Sequence, residues 1–146
     1  MTRRRQIRYA ITSLATLMLA SCASVPANLK GQTHVELDSH VAYDEAYRIV
    51  ARQMRACYRV IGIFGNGFDI QSDLDTQAKQ GRIELYFVGV TGAKPDSDSK
   101  IPRTVTISQL GTGSHIVIQG NGDRYVYYTS QGIRGWLDGS NKCNGK

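Results

Sequence analysis

The stretch FDIQSDLDTQAKQGRIELYF, Phe68 to Phe87, decides the fold. Phe68, Ile70 and Leu74 alternate with Asp69, Gln71, Asp73 and Asp75. After the polar turn Thr76 to Gly81, Ile83, Leu85 and Phe87 alternate with Arg82, Glu84 and Tyr86. A period of two sends successive side chains to opposite faces of an extended chain. The two segments therefore read as an antiparallel hairpin with one apolar and one polar face, and the apolar face needs a second layer to cover it.

Downstream, Val105 and Ile107 alternate with Thr104, Thr106 and Ser108, and Gly111-Thr112-Gly113 separates them from Ser114 to Gln119, which carries Ile116, Val117 and Ile118. This is a second hairpin. Between the hairpins, Gly92 to Lys100, with Pro95 and Asp96-Ser97-Asp98-Ser99, reads as an exposed loop. The covering layer comes from two helices. From Tyr43 to Arg59, Ala46, Ile49, Val50, Gln53, Met54 and Cys57 fall on one side at 100° per residue, and Arg48, Arg52, Arg55 and Arg59 on the other. Asp44 and Glu45 complement the macrodipole in its first turn. At the C-terminus, Asn121-Gly122-Asp123 suits a helix cap, Tyr125, Val126, Ile133, Trp136 and Leu137 share a broad face, and Gly139 suits a stop. Gly132 and Gly135 oppose this helix by about 1 kcal/mol each, and Tyr125 to Tyr128 is also strand-like. Upstream, Val35, Leu37 and Val41 alternate with His34, Glu36, Asp38 and His40, as in a short half-buried strand. The expectation is an α+β domain over residues 34–146: short strand, helix, four-stranded antiparallel meander and terminal helix, with both helices on one face of the sheet. About 110 residues suffice for one core and not for two.

The first residues are of another kind. Met1 to Tyr9 carries Arg3, Arg4, Arg5 and Arg8 without an acidic residue, and the uncharged run Ala10 to Ala20 is about half the length that spans a bilayer. That pattern is an export signal. Thr2-Arg3-Arg4 also fits a twin-arginine signal, but the general secretion route is the expectation. Leu19-Ala20-Ser21-Cys22 resembles the lipobox of bacterial lipoproteins. The resemblance implies a signal peptide over 1–21, cleavage before Cys22, and attachment of diacylglycerol and palmitate-type acyl chains to Cys22 as the membrane anchor. The competing reading is an ordinary secretory peptide cleaved near Ala20 or Ser21. Ala23, where Asp tends to retain lipoproteins on the inner membrane in the Gram-negative pattern, implies the periplasmic leaflet of the outer membrane. Residues 22–33, interrupted by Pro26 and Gly31, read as a flexible tether.

Removing the signal changes the charge argument. The whole chain has 18 Lys and Arg against 12 Asp and Glu, a formal +6. All the acidic residues and 14 of the basic ones follow Cys22, so the mature chain carries only +2 and basicity gives no case for nucleic acid. Export also places Cys57 and Cys143 in an oxidising compartment, where a disulfide closing a long loop is expected, contributing roughly 4 to 5 kcal/mol.

The element order, entered through Tyr43-Asp44-Glu45-Ala46-Tyr47, resembles in outline the helix-grip domains of accessory lipoproteins in the outer-membrane β-barrel assembly machinery. It transfers no functional residue. Among candidate chemistries, His34, Glu36, Asp38 and His40 recur at every second position, as divalent-metal ligands can, but same-face neighbours about 7 Å apart do not make a compact shell on one strand, so a solvated face is expected. The stripe Arg48, Arg52, Arg55 and Arg59 offers guanidinium groups to lipid phosphates or an acidic partner, although a solvated helix face accounts for it equally. Gly62 to Gly67 is glycine-dense, but it follows a helix and precedes a strand, the reverse of a phosphate loop. Ser114 and His115 show no acid partner in the sequence. Tyr125, Tyr127, Tyr128 and Trp136 crowd the terminal helix, and Tyr43, Tyr47 and Tyr58 line the first. The leading expectation is a non-catalytic, membrane-anchored envelope lipoprotein without a cofactor, docking on a periplasmic protein or complex through an exposed sheet face or the aromatic terminal helix. The alternative is a lipid or small hydrophobic ligand held between sheet and helices; a metal-dependent enzyme stands third.

Overall fold

The period-two segments all become strands, and the computed structural model describes residues 33–63, 67–89 and 103–143. In chain order these are β1 (His34–Ser39), α1 (Tyr43–Tyr58), β2 (Val60–Ile61), β3 (Gly67–Asp75), β4 (Gln80–Val88), β5 (Arg103–Leu110), β6 (Gly113–Gly120) and α2 (Asp123–Leu137). The strands form one antiparallel sheet in the order β1-β6-β5-β4-β3-β2. β3 to β6 are the expected meander. Two features lie beyond the sequence reading: β1 closes the sheet against β6, pairing Leu37 with Ile116 and Asp38 with His115, and the two-residue β2 pairs with Phe68 and Gly67 at the opposite edge.

The turns explain themselves locally. Asp75 Oδ1 accepts the backbone N–H groups of Gln77 and Ala78 and holds the β3–β4 connection, and Gly111, at φ +58°, provides the left-handed residue of the β5–β6 connection.

Both helices cover the same face of the sheet. Ala46, Val50, Met54 and Cys57 of α1 and Val126, Ile133 and Trp136 of α2 pack with Leu37, Ile70, Ile83, Leu85, Val105, Ile107, Ile116 and Ile118 in a single core. The α2 face differs from expectation at one residue: Tyr125 is 57% exposed, and Thr129 and Ser130 are buried in the stripe instead. Their hydroxyls donate to the Tyr125 and Tyr127 carbonyls, which lets them enter the interior without an orphan donor. The expected side-chain cap is also absent, for Gly122 occupies the N-cap and Asp123 accepts instead from the N–H of Arg124. Gly132 has a packing reason: a Cβ there would lie 3.1 Å from the Trp136 ring, so its absence gives the indole a seat on its own helix.

The C-terminal tail returns along α1. Gln53 donates to Asn141 across 2.7 Å, Trp136 Nε1 donates to the Lys142 carbonyl across 2.8 Å, and Cys57 and Cys143 stand in disulfide geometry with Cα atoms 5.4 Å apart. No described helix is long and apolar enough to cross a membrane.

Candidate functional site

Cys22 and the residues expected to form an export signal lie outside the described residues, as does the stretch 92–100, expected to be an exposed loop. The arginine stripe is divided by what each residue can reach. Arg48 pairs with Asp44 and Glu45 on its own helix, Arg55 donates to Ser72 on β3, and Arg59 pairs with Asp69 at 3.0 Å. Arg52 is exposed and makes no ion pair among the described residues. Three of the four residues thus have partners among the described residues, and Arg55 and Arg59 tie the end of α1 to β3.

The β1 set is rearranged in a way that β1 alone does not suggest. Glu36 and Asp38 share the uncovered face of the sheet, and because β6 lies alongside, they meet His115. Its Nδ1 is 2.7 Å from Asp38 Oδ1 and its Nε2 is 3.8 Å from Glu36 Oε2. His115 therefore does have an acid partner, contrary to the sequence reading, and the partner lies 77 residues away in the chain. His40 lies past the end of β1, beside Arg134 and Asp138 on the rim of a shallow cleft. Among the described residues no three His, Cys, Asp or Glu side chains converge as a metal site would require. Ser114 and His115, as strand neighbours, point to opposite faces. Ser114 is buried with its hydroxyl unpartnered among the described residues, so the two form no dyad.

A second constellation was not singled out from sequence. β1, β3 and β5 all begin at one end of the sheet, and β4 and β6 finish there; this is the end at which the chain enters the domain, at His34. α1 ends and α2 begins at the same place. Arg103 shares the inward phase of Val105 and Ile107 and so projects into the gap between the two helix termini. Its guanidinium lies 4.4 Å from the Tyr58 ring centroid and 5.2 Å from that of Tyr125, and Nη1 donates to Thr129 Oγ1 across 2.9 Å. Burial pushes its pKa below the ordinary arginine value, and Tyr58 and Tyr125 act in the opposite direction. Arginine remains cationic at neutral pH regardless. The Arg103 side chain thus touches both the last residue of α1 and the first turns of α2, and bridges the two helix ends to β5. The available signal was a cation in the apolar phase of a strand.

Around this cation the same end of the domain carries an apolar surface that the described residues leave uncovered. Phe68 and Phe87 are direct cross-strand partners on the helix side, with ring centroids 5.8 Å apart, yet they are 38% and 45% exposed because α1 stops at Tyr58. Val60, Ile63 and Tyr125 join them at 55%, 94% and 57%. Of the six exposed large hydrophobic side chains among the described residues, only Leu110 lies at the opposite end. Trp136, by contrast, is buried, and Tyr127 and Tyr128 are half-buried with their rings 5.4 Å apart, so the terminal helix offers less aromatic surface than its sequence suggests.

No family model matches this chain, and no curated protein is significantly similar to it.

Proposed function

We propose that this chain is an envelope lipoprotein, anchored through Cys22 in the periplasmic leaflet of the outer membrane, whose domain works by binding a protein partner rather than by catalysis. The observation that carries the reading is the sheet face that no described helix covers. Half-buried Thr106 and Val117 pair at its centre, with the carboxylates Glu36, Asp38, Asp69 and Asp73 around them and His115 and Arg82 interspersed. Charged side chains stand directly beside this small β-branched centre, Glu36 opposite Val117 and Arg82 opposite Thr106, so the face is polar like the rim of a non-obligate interface. Its acidic balance favours a partner presenting lysine or arginine. The interior supports binding at the surface over a ligand held between the layers. Met54, Ile83, Ile107, Ile116, Ile118, Ile133 and Trp136 fill that space at 2% exposure or less, so a lipid there would have to displace packed side chains.

The test places a photo-crosslinking residue at Thr106 on the open face, or at Arg52 on the helix layer, in the full-length chain in intact cells. A single protein adduct from Thr106 is expected, absent from Arg52 and lost when Glu36→Lys, Asp38→Lys and Asp73→Lys are combined. No adduct from Thr106, or the same adduct from both positions, would overturn the reading. Mass spectrometry of the mature N-terminus checks the anchor separately, by the acyl chains on Cys22.

A further inference from the structure

We infer that the apolar entry end of the domain, Val60, Ile63, Phe68, Phe87 and Tyr125, rests on the surface of the same bilayer that holds the anchor. The inference depends on the lipoprotein reading of Cys22 and specifies how the anchored domain stands. Eleven residues, Ala23 to Thr33, separate the anchor from β1. Even fully extended they cover at most about 40 Å. The sheet is nine residues tall at β3 and β4, about 30 Å at strand rise. The chain enters at the end that carries five of the six exposed large hydrophobic residues. To bring the opposite end to the lipid, the connector would have to run back along the whole domain and use most of its reach. The entry end is thus held near the headgroups at high effective concentration, where even a weak contact is populated.

The chemistry of this end suits lipid. Phenyl and aliphatic groups of Phe68, Phe87, Val60 and Ile63 match the acyl boundary, and the Tyr125 ring carries a polar hydroxyl suited to the headgroup level. Arg59, which pairs with Asp69, and Arg124, which lies over the Tyr128 ring, flank the patch and keep cationic groups at the headgroup level while the apolar residues lie deeper. Docked in this way, the strands stand upright on the bilayer. The open face with Glu36, Asp38 and His115 then looks sideways into the periplasm, clear of lipid and available to a partner.

The experiment uses the full mature chain, lipidated in cells and reconstituted into vesicles of phosphatidylethanolamine and phosphatidylglycerol doped with bromine-labelled lipid. Phe87→Trp reports the entry end and Leu110→Trp the opposite end, against the constant signal of buried Trp136. Bromolipid is expected to quench and blue-shift the indole of the Phe87 variant and to leave that of the Leu110 variant unchanged. Tyr125→Trp is the second probe, should the Phe87 variant fail to fold. Equal quenching at the two ends, or none at either, would overturn the inference, and a protein adduct formed from position 87 in cells would assign the patch to a partner instead. Acylation of Cys22 is read on the same sample by mass spectrometry. An acylated protein without quenching refutes the docking alone, whereas an unmodified Cys22 refutes the anchor and the docking with it.

Discussion

Removing both Cys57 and Cys143 tests how much of the domain's stability depends on the clasp between α1 and the C-terminal tail. The two cysteines are 86 residues apart, and nearly the whole sheet lies within the loop they close. In the chain-entropy model that closure is worth about 4.6 kcal/mol at 25 °C. The tail's other ties, Gln53 to Asn141 and Trp136 Nε1 to Lys142, are half-buried hydrogen bonds of about 1 kcal/mol each, and they do not hold the tail alone. For the 113 residues of 34–146 the unfolding entropy is about 0.24 kcal/mol/K, so the double alanine variant should melt about 20 °C below the parent. The assay is thermal unfolding by circular dichroism of the mature chain with Cys22→Ser, which removes the third thiol, comparing the parent with Cys57→Ala, Cys143→Ala and the pair. Both single variants should match the double, because either one removes the whole crosslink. A loss below about 1 kcal/mol, or two alkylatable thiols in unreduced protein exported to an oxidising compartment, would refute the reasoning.

Arg103 separates charge from shape. Arg103→Ala removes the stacking on Tyr58 and Tyr125 and the bond to Thr129, and should cost about 2 kcal/mol in denaturant unfolding. Arg103→Met keeps the bulk and removes the burial cost of the cation, so it should lie within about 1 kcal/mol of the parent; an equal loss in both variants would mean that the charge itself holds the helix ends. Glycine substitutions should divide by position. A Cβ at Gly113 would lie 2.1 Å from the Ser39 carbonyl oxygen, so Gly113→Ala should destabilise by about 2 kcal/mol or more. At Gly135 a Cβ meets Ser140 at an ordinary 3.6 Å, so Gly135→Ala should stabilise α2 by about 0.5 to 1 kcal/mol; melting temperatures that shift together in one direction would contradict both assignments.

The fold was legible where it depends on local period. Phe68 to Phe87, Val105 to Ile118 and Tyr43 to Arg59 each bury one face, and one-face burial leaves an α+β arrangement with both helices on the same side. Long-range pairing was not legible. Nothing in His34 to His40 says that β6 will lie beside it, and without that neighbour His115 has no visible acid and the carboxylates of β1 have no visible histidine. The aromatic residues divided by depth rather than by type: Trp136 sits over Gly132 in the core, whereas Phe68 and Phe87, in the inward phase of their strands, remain uncovered because α1 ends at Tyr58. A periodicity gives the face of a side chain. It does not give how far the covering helix extends.

Which part of the sheet recruits a partner is constrained by the edges as well as by the face. A partner that added a strand would need an edge free of obstruction. β1 is one edge, and along it His34, Glu36 and Asp38 stand on the open face, with Glu36 and Asp38 turned toward His115 across the β6 pairing. At the other edge β2 pairs only with Gly67 and Phe68, after which Arg55 reaches Ser72 from above and Asp73 and Asp75 charge the remainder of β3. Charged and bridged edges of this kind discourage strand addition. With the edges blunted, one face under helices and the entry end, on our proposal, turned toward lipid, the centre at Thr106 and Val117 is the surface that the described residues leave for a protein. A photo-crosslinker at Asp75 on the β3 edge should therefore give less adduct than one at Thr106, and the reverse order would favour strand addition over docking on the face.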